Sequence, residues 1–183
     1  MILPLFRRQP KATIAALYGA IVAQARDTRF YGIYGVPDTV LGRFDLVVLH
    51  LAMVLRRLRT GDAAPRALAQ GLFDEFCRDM DHNLRELGIS DQGVPRQMRR
   101  VAEAFYGRAK VYDAALAENG EGALAEALAR NVFAEAAGHR VAAPQLAAYV
   151  RQAAAMLEAQ SLDDLASGDV WFPEPVILVP AAE

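Results

Sequence analysis

The sequence predicts an all-α protein: a single compact domain of six to seven helices with an extended C-terminal tail. Three observations predict it. Alanine accounts for 35 of the 183 residues; it is the strongest helix former, and the strand-favouring Thr, Ile and Tyr are few. Apolar residues recur at i, i+3, i+4 and i+7 through most of the chain, the period of a helix with one buried stripe. The breaks between these runs are short and carry Pro, Gly, Asn or Asp, as expected between antiparallel helical neighbours.

Each element follows from its own residues. Residues 12–26 form a helix with Ile14, Leu17, Tyr18, Ile21, Val22 and Ala25 on one stripe, started by Thr13 or the turn at Pro10. FYGIYGVPD, residues 30–38, reads as a loop because glycines and a proline interrupt its aromatics. A second helix runs from Asp38 or Thr39, both good caps, to Arg59. Phe44, Val47, Val48, Leu51, Leu55 and Leu58 make one face of it, and Leu46, Leu49, Met53 and Val54 cover most of the rest. A helix apolar nearly all round is a central one. Thr60-Gly61-Asp62 ends it.

A third helix opens near Pro65, a residue suited to a first helical position. It buries Leu68, Leu72, Phe73, Phe76, Met80, Leu84 and Leu87 and is capped by Gly88. The fourth, from about Pro95, carries Met98, Val101, Ala102, Phe105, Ala109, Tyr112 and Leu116 and stops at Asn119-Gly120. The fifth, about 122–137, buries Leu124, Leu128, Val132 and Phe133, with Gly138 as its stop. The sixth opens at Pro144 and buries Leu146, Tyr149, Val150, Ala153 and Leu157. A short turn of helix starts at Ser161 and closes at Gly168. The prolines of VWFPEPVILVP keep the tail out of a helix. The domain therefore spans 12–172, between an N-terminal tail (1–11) and a C-terminal tail (173–183).

Composition excludes several function classes. With 54% apolar and 23% charged residues and a net charge of −2, the chain has the balance of a folded globular protein, not a disordered one. The single cysteine, Cys77, rules out an intrachain disulfide and packs as a small hydrophobe. The longest strongly apolar stretch, Leu46 to Leu55, is closed by Asp45 and Arg56, short of the roughly 20 residues of a spanning helix. MILPLFRRQPK puts its basic residues after its apolar ones, the reverse of a secretory signal. The expected location is the cytoplasm or the cytoplasmic face of the inner membrane.

Catalytic motifs are missing: the sequence has no GxSxG, no phosphate-binding P-loop, no GxGxxG and no CxxC. Asp79 and His82 share a helix face at i, i+3, but a di-metal bundle needs that pair twice. His50 and His139 have Val47 and Ala136 in the carboxylate position. No metal and no cofactor is expected. Asp79 is then expected to pair with Arg78, Arg85 or an arginine of a neighbouring helix. His50, between Leu46, Val47, Met53 and Val54, is expected to be a buried histidine satisfied by a carbonyl or a side chain.

Charge is unevenly distributed. Residues 1–110 carry 17 basic and 11 acidic side chains, a net +6, and residues 111–183 a net −8. The fourth helix holds Arg96, Arg99, Arg100, Arg108 and Lys110 against Glu103, with Phe105 and Tyr106 interleaved. Such a face can meet phosphates or lipid headgroups, although a core face backed by a solvated one is the commoner arrangement. Arg56, Arg57, Arg59 and Arg66 are candidates to extend the patch. The Phe6-Arg7-Arg8 leader adds to the basic half and allows peripheral contact with an anionic membrane.

The order of motifs is more specific than any one of them: VPDTVLGRFDLVVLHLAMVLRRL (36–58), LFDEFCRDMDHNLRELGISD (72–91), FYGRAKVYDAAL (105–116), LAEALARNVF (124–133), LAAYVR (146–151) and DLASGDVWF (164–172). Across about residues 12–172 the chain resembles the ubiquinol–cytochrome c chaperone family. The resemblance implies a non-enzymatic assembly factor for the respiratory cytochrome bc1 complex, with newly synthesised cytochrome b as client. It also implies the ribosome and a small partner protein as further contacts, and no DNA partner. The chain is similar to bacterial-type members. Among the matching residues, Pro37-Asp38 suits a helix start, and Phe105, Tyr112 and Trp171 suit a core.

A chaperone for an apolar client requires an exposed apolar groove. Phe105 and Tyr106 point about 100° apart on a helix, so one is expected to pack inward and the other to line the groove. Arg100 and Arg108 are expected at its rim, and Arg99, Arg100, Tyr106 and Arg108 are the candidate client-binding residues. The alternative, a small helical enzyme or metal protein, requires a closed polar pocket with perturbed titratable groups. An RNA-binding module, the third reading, would show steep salt dependence.

Overall fold

A computed structural model describes residues 11–118, 120–134 and 139–176. Among these there is no strand. The helices are α1 (Lys11–Ala25), α2 (Thr28–Gly32), α3 (Val40–Arg59), α4 (Ala63–Glu86), α5 (Val94–Ala117), α6 (Glu121–Asn131), α7 (His139–Ala159) and α8 (Leu162–Ser167). The all-α expectation holds, and six of these helices are long. The Phe6-Arg7-Arg8 leader, Asn119 and Gly138 lie outside the described residues.

α3 is central because its sequence leaves it no polar face. Every residue from Asp45 to Val54 is buried, and the helix packs against α1, α4, α5 and α7. α1 and α5 flank the α3–α4 pair, and the α6–α7 hairpin closes the remaining side of α3 and α5. Thr39 starts α3 as expected, its Oγ1 accepting from Gly42 N at 3.1 Å. Gly42 has to be glycine, since a Cβ there would overlap the Pro37 carbonyl oxygen. This contact folds the Pro37-Asp38-Thr39 turn back onto the first turn of α3.

His50 is fully buried, as expected, and its partners fix its tautomer. Gln24 Nε2 donates to Tyr149 Oη at 3.0 Å and to Pro173 O at 3.1 Å. The Tyr149 hydroxyl proton is thereby free to go to His50 Nε2, 2.9 Å away. His50 Nδ1–H then donates to Leu46 O at 2.8 Å. Phe30, Phe172 and Tyr149 surround the ring, and burial pushes the imidazole down to about 4.

The chain after α8 runs as an extended strap over this cluster. Gly168, at φ 102°, takes the left-handed cap that a side chain would strain. Gln160 then holds the strap from both sides, donating to Asp169 O at 2.9 Å and accepting from Trp171 N at 3.2 Å. Tyr34 Oη donates to Val176 O at 2.7 Å. Most of the residues that carry the family resemblance around His50, Tyr149 and 168–171 are thus joined in one structural network.

Local expectations are revised in several places. Residues 28–32 form one turn of helix, capped by Asp27, where the glycine-rich stretch read as loop. α7 begins at His139 and takes Pro144 inside. The proline nitrogen has no hydrogen for the carbonyl four residues earlier, so the ladder loses a bond early in the helix without ending. Leu87, expected on the buried stripe of α4, is 66% exposed, and Trp171, expected in the core, is 52% exposed while Phe172 packs inward against His50.

Candidate functional site

One end of the bundle is left open. There α1 and α4 finish while α3 and α5 begin, and the side chains between them do not meet. The resulting groove encloses ≈ 660 Å³. Its floor is Val40, Leu41, Phe44 and Val47 from α3 with Met80 and Leu84 from α4 and Leu87 just beyond it; Val22 and Val101 form the sides. Val40, Leu41 and Leu87 are 75%, 47% and 66% exposed. Large apolar side chains grouped this way on a monomer mark a place where another apolar surface docks.

The sequence leaves them open for a local reason. Val40 and Leu41 lie in the first turn of α3, before the stretch 45–54 that is buried throughout. Leu87 follows the last turn of α4 and is turned outward by Gly88, which takes φ 81°. The helical period gave Leu87 a core position, but the neighbouring helices end before they reach it.

The rim is polar. Tyr18 Oη donates to Asp79 Oδ2 at 2.8 Å, and Asn83 Nδ2 reaches Asp79 Oδ1 at 3.2 Å. Asp79 therefore pairs with a hydroxyl and an amide, not with the expected arginine, because α4 turns it toward α1. Burial, and then the adjacent Asp79, raise the Tyr18 hydroxyl well above the ordinary tyrosine range. Arg43 pairs with Asp38 at 2.7 Å and His82 with Glu86 at 3.1 Å. Arg26 and Arg100 complete the rim.

The candidate residues of α5 separate into two faces. Gln97, Arg100, Val101 and Ala104 face the groove. Arg99, Glu103, Tyr106 and Lys110 follow the opposite i, i+4, i+7 row. Phe105 is buried and Tyr106 is 60% exposed, so the expected inward–outward split holds. The outward ring nevertheless lies outside the groove: Tyr106 stacks on Phe73, centroids 5.2 Å apart. Arg99 reaches Glu103 at 3.6 Å.

Arg108 does not rim the groove either. Its Nη2 stands 2.9 Å from Asp45 Oδ1, with the two side chains 19% and 2% exposed. Its guanidinium lies 5.8 Å from the centre of the Phe44 ring, so it backs the groove wall from behind. Burial raises the Asp45 carboxyl to about 6, and the attraction of Arg108 only partly offsets it. In the sequence Arg108 is one more basic residue of an exposed face, because its partner is 63 positions away, a lone acid at the edge of the apolar stretch Leu46 to Leu55.

Three of the four other basic candidates are also occupied, and Arg66 is exposed. Arg56 bonds Asp113 at 3.0 Å and also Glu158, and Arg59 bonds Asp113 at 3.0 Å. Arg57 donates to Leu157 O and Gln160 O at 2.8 Å each, satisfying carbonyls at the end of α7. These residues tie α3 to α5 and α7 and do not extend a free cationic patch. Cys77 is half-buried against the core, and burial raises its thiol. Among the described residues, no three His, Cys, Asp or Glu side chains gather as a metal site would require, and no helix is long and apolar enough to cross a membrane.

The model of the ubiquinol-cytochrome C chaperone family matches residues 33–172, which contain the floor of the groove, the Asp45–Arg108 pair, and His50 with Tyr149 and Phe172. A crystal structure of the Cbp3 homolog from Brucella abortus superimposes with a TM-score of 0.84 at 45% sequence identity, covering 96% of this chain and 98% of that one. No curated protein matches.

Proposed function

We propose, because the chain belongs to the ubiquinol–cytochrome c chaperone family, that it is a chaperone for newly synthesised cytochrome b and holds this client in the groove between α3 and α4. The chaperone role itself follows from the family. The observation that supports the client site is the grouping of Val40, Leu41 and Leu87, exposed at the mouth of an apolar groove. A nascent membrane protein offers helices that are apolar all round, and a soluble holder must cover them with apolar surface of its own.

The candidate residues take different parts in this reading. Arg100 meets the client at the groove edge. Arg108 holds Phe44 in the groove wall through its pair with Asp45. Tyr106 and Arg99, on the far face of α5, supply a second contact for the ribosome or a small partner protein. Peripheral contact with the cytoplasmic face of the inner membrane, through the basic half of the chain, keeps the holder near the site of client insertion.

Capture during translation tests the groove. The Leu41→Asp, Leu87→Asp double variant is expected to lower recovery of newly made cytochrome b at least tenfold. Its melting temperature is expected to stay within a few degrees, because exposed positions cost about 0.5 kcal/mol or less each. Full capture by the folded double variant would move the client site elsewhere. Tyr106→Ala is expected to leave cytochrome b recovery from ribosome-free extract unchanged.

A further inference from the structure

We propose that the groove seats one helix, apolar along the face that meets α3 and α4 and carrying carboxylates on both flanks. This rests on the chaperone reading and names the part of a client that the groove takes. The first argument is the backbone. Phe44, Val47, Met80 and Leu84 lie within α3 and α4, where peptide groups pair along the helix, and Leu87 beyond α4 gives its N–H to Asn83 O at 3.0 Å; the N–H groups of Val40 and Leu41, in the first turn of α3, lie outside that ladder. Among the described residues no sheet edge faces the groove, so an extended guest would leave most of its buried peptide groups without partners. A helix satisfies its own.

The second argument is length. Val40 to Val47 and Met80 to Leu87 each rise about 10 Å along the helix axis. The floor therefore offers contact to about two turns of a guest helix.

Charge decides the flanks. α1 and α5 stand on either side of the α3–α4 floor, and the rim has an arginine on each side, Arg26 just beyond the end of α1 and Arg100 of α5. Among the described residues Arg100 has one side-chain hydrogen bond, to Gln97 at 3.5 Å, and Arg26 has no side-chain ion pair or hydrogen bond, although its charge is felt by Tyr18. Of the nearby carboxylates, Asp38 is paired with Arg43, Asp79 accepts from the neutral Tyr18 and Asn83, and Glu86 lies 3.1 Å from His82. Two arginines that form no ion pair among the described residues, one on each side of an apolar floor, complement a guest with a carboxylate on each flank.

Binding of labelled peptides to the full chain tests the proposal. The probes are a Leu/Ala helix flanked by Glu, the same helix flanked by Lys, and the Glu-flanked peptide interrupted by two prolines. The Glu-flanked helix is expected to bind at least tenfold tighter than either of the others. The Arg26→Glu, Arg100→Glu variant is expected to reverse the preference between Glu and Lys flanks. Equal binding of both flanked helices, or of the proline peptide, overturns the proposal. So does Arg-dependent binding to phosphatidylglycerol vesicles without peptide binding, which makes the occupant a lipid. A concentration-dependent dimer that Leu87→Asp dissolves also overturns it and makes the occupant a second copy. Cytochrome b capture separates the two readings. If capture survives Arg26→Glu, Arg100→Glu but fails in Leu41→Asp, Leu87→Asp, the chaperone groove stands and only the charged flanks fall.

Discussion

Arg108→Glu is expected to lower the melting temperature by about 10 °C or more, as a loss of roughly 3–5 kcal/mol would do in a domain of this size. The wild-type pair is a guanidinium 2.9 Å from a carboxylate that is itself 2% exposed. Glutamate at 108 would put a second negative charge against Asp45 in a place that water does not reach. Even Arg108→Ala leaves Asp45 buried without a counter-charge. Replacing both members by apolar residues of similar size, as in Asp45→Leu with Arg108→Met, is expected to restore most of the loss, because no charge then has to be buried. Thermal melts of the single and double variants check this. An Arg108→Glu protein that melts within a degree or two of wild type would put Arg108 in solvent and contradict the pair.

The second large effect is the acid sensitivity of His50. Its imidazole titrates near 4 in the folded chain, against about 6.5 in an unfolded one. A group whose folded value is depressed contributes stability that is present above the unfolded value and lost as pH falls toward the folded one. Between pH 7.5 and 5, His50 is therefore expected to cost the wild type about 2 kcal/mol. Asp45 acts in the opposite sense. Its carboxyl is raised to about 6, so its stabilising contribution is greatest at acid pH and is lost as pH rises through that value. The whole-protein pH profile mixes the two and is a poor test. The gap in unfolding free energy between wild type and His50→Gln isolates the histidine. It is expected to narrow by about 2 kcal/mol over that range in denaturant titrations. A constant gap would mean that His50 ionises as freely in the folded chain as in the unfolded one.

What was legible in the sequence was periodic. The apolar stripe of α3 specified a central helix, Thr39 specified its start, and the surroundings of His50 specified a buried neutral ring. Family motifs ordered along the chain gave the chaperone class before any geometry. What was hidden depended on partners distant in sequence. Asp45 and Arg108 each look unremarkable alone, and only the packing of α3 on α5 makes them a buried pair. The groove was hidden for a different reason. Its residues, Val40, Leu41, Phe44, Met80, Leu84 and Leu87, carry the same hydrophobic signal as core positions. Their exposure comes from where the neighbouring helices stop, and no single helix encodes that. Tyr106 was legible as exposed, but its distance from the groove was not, because helical phase alone does not say which face has a neighbour.

The central claim is that the α3–α4 groove touches the client. Site-specific photocrosslinking during translation of cytochrome b measures this directly. A photoreactive residue at Val40 or Leu87, both exposed at the groove, is compared with one at Met156, exposed on α7 away from it. The account predicts crosslinks to nascent cytochrome b from positions 40 and 87 and none from 156. Crosslinks from 156 with none from 40 or 87 would contradict it.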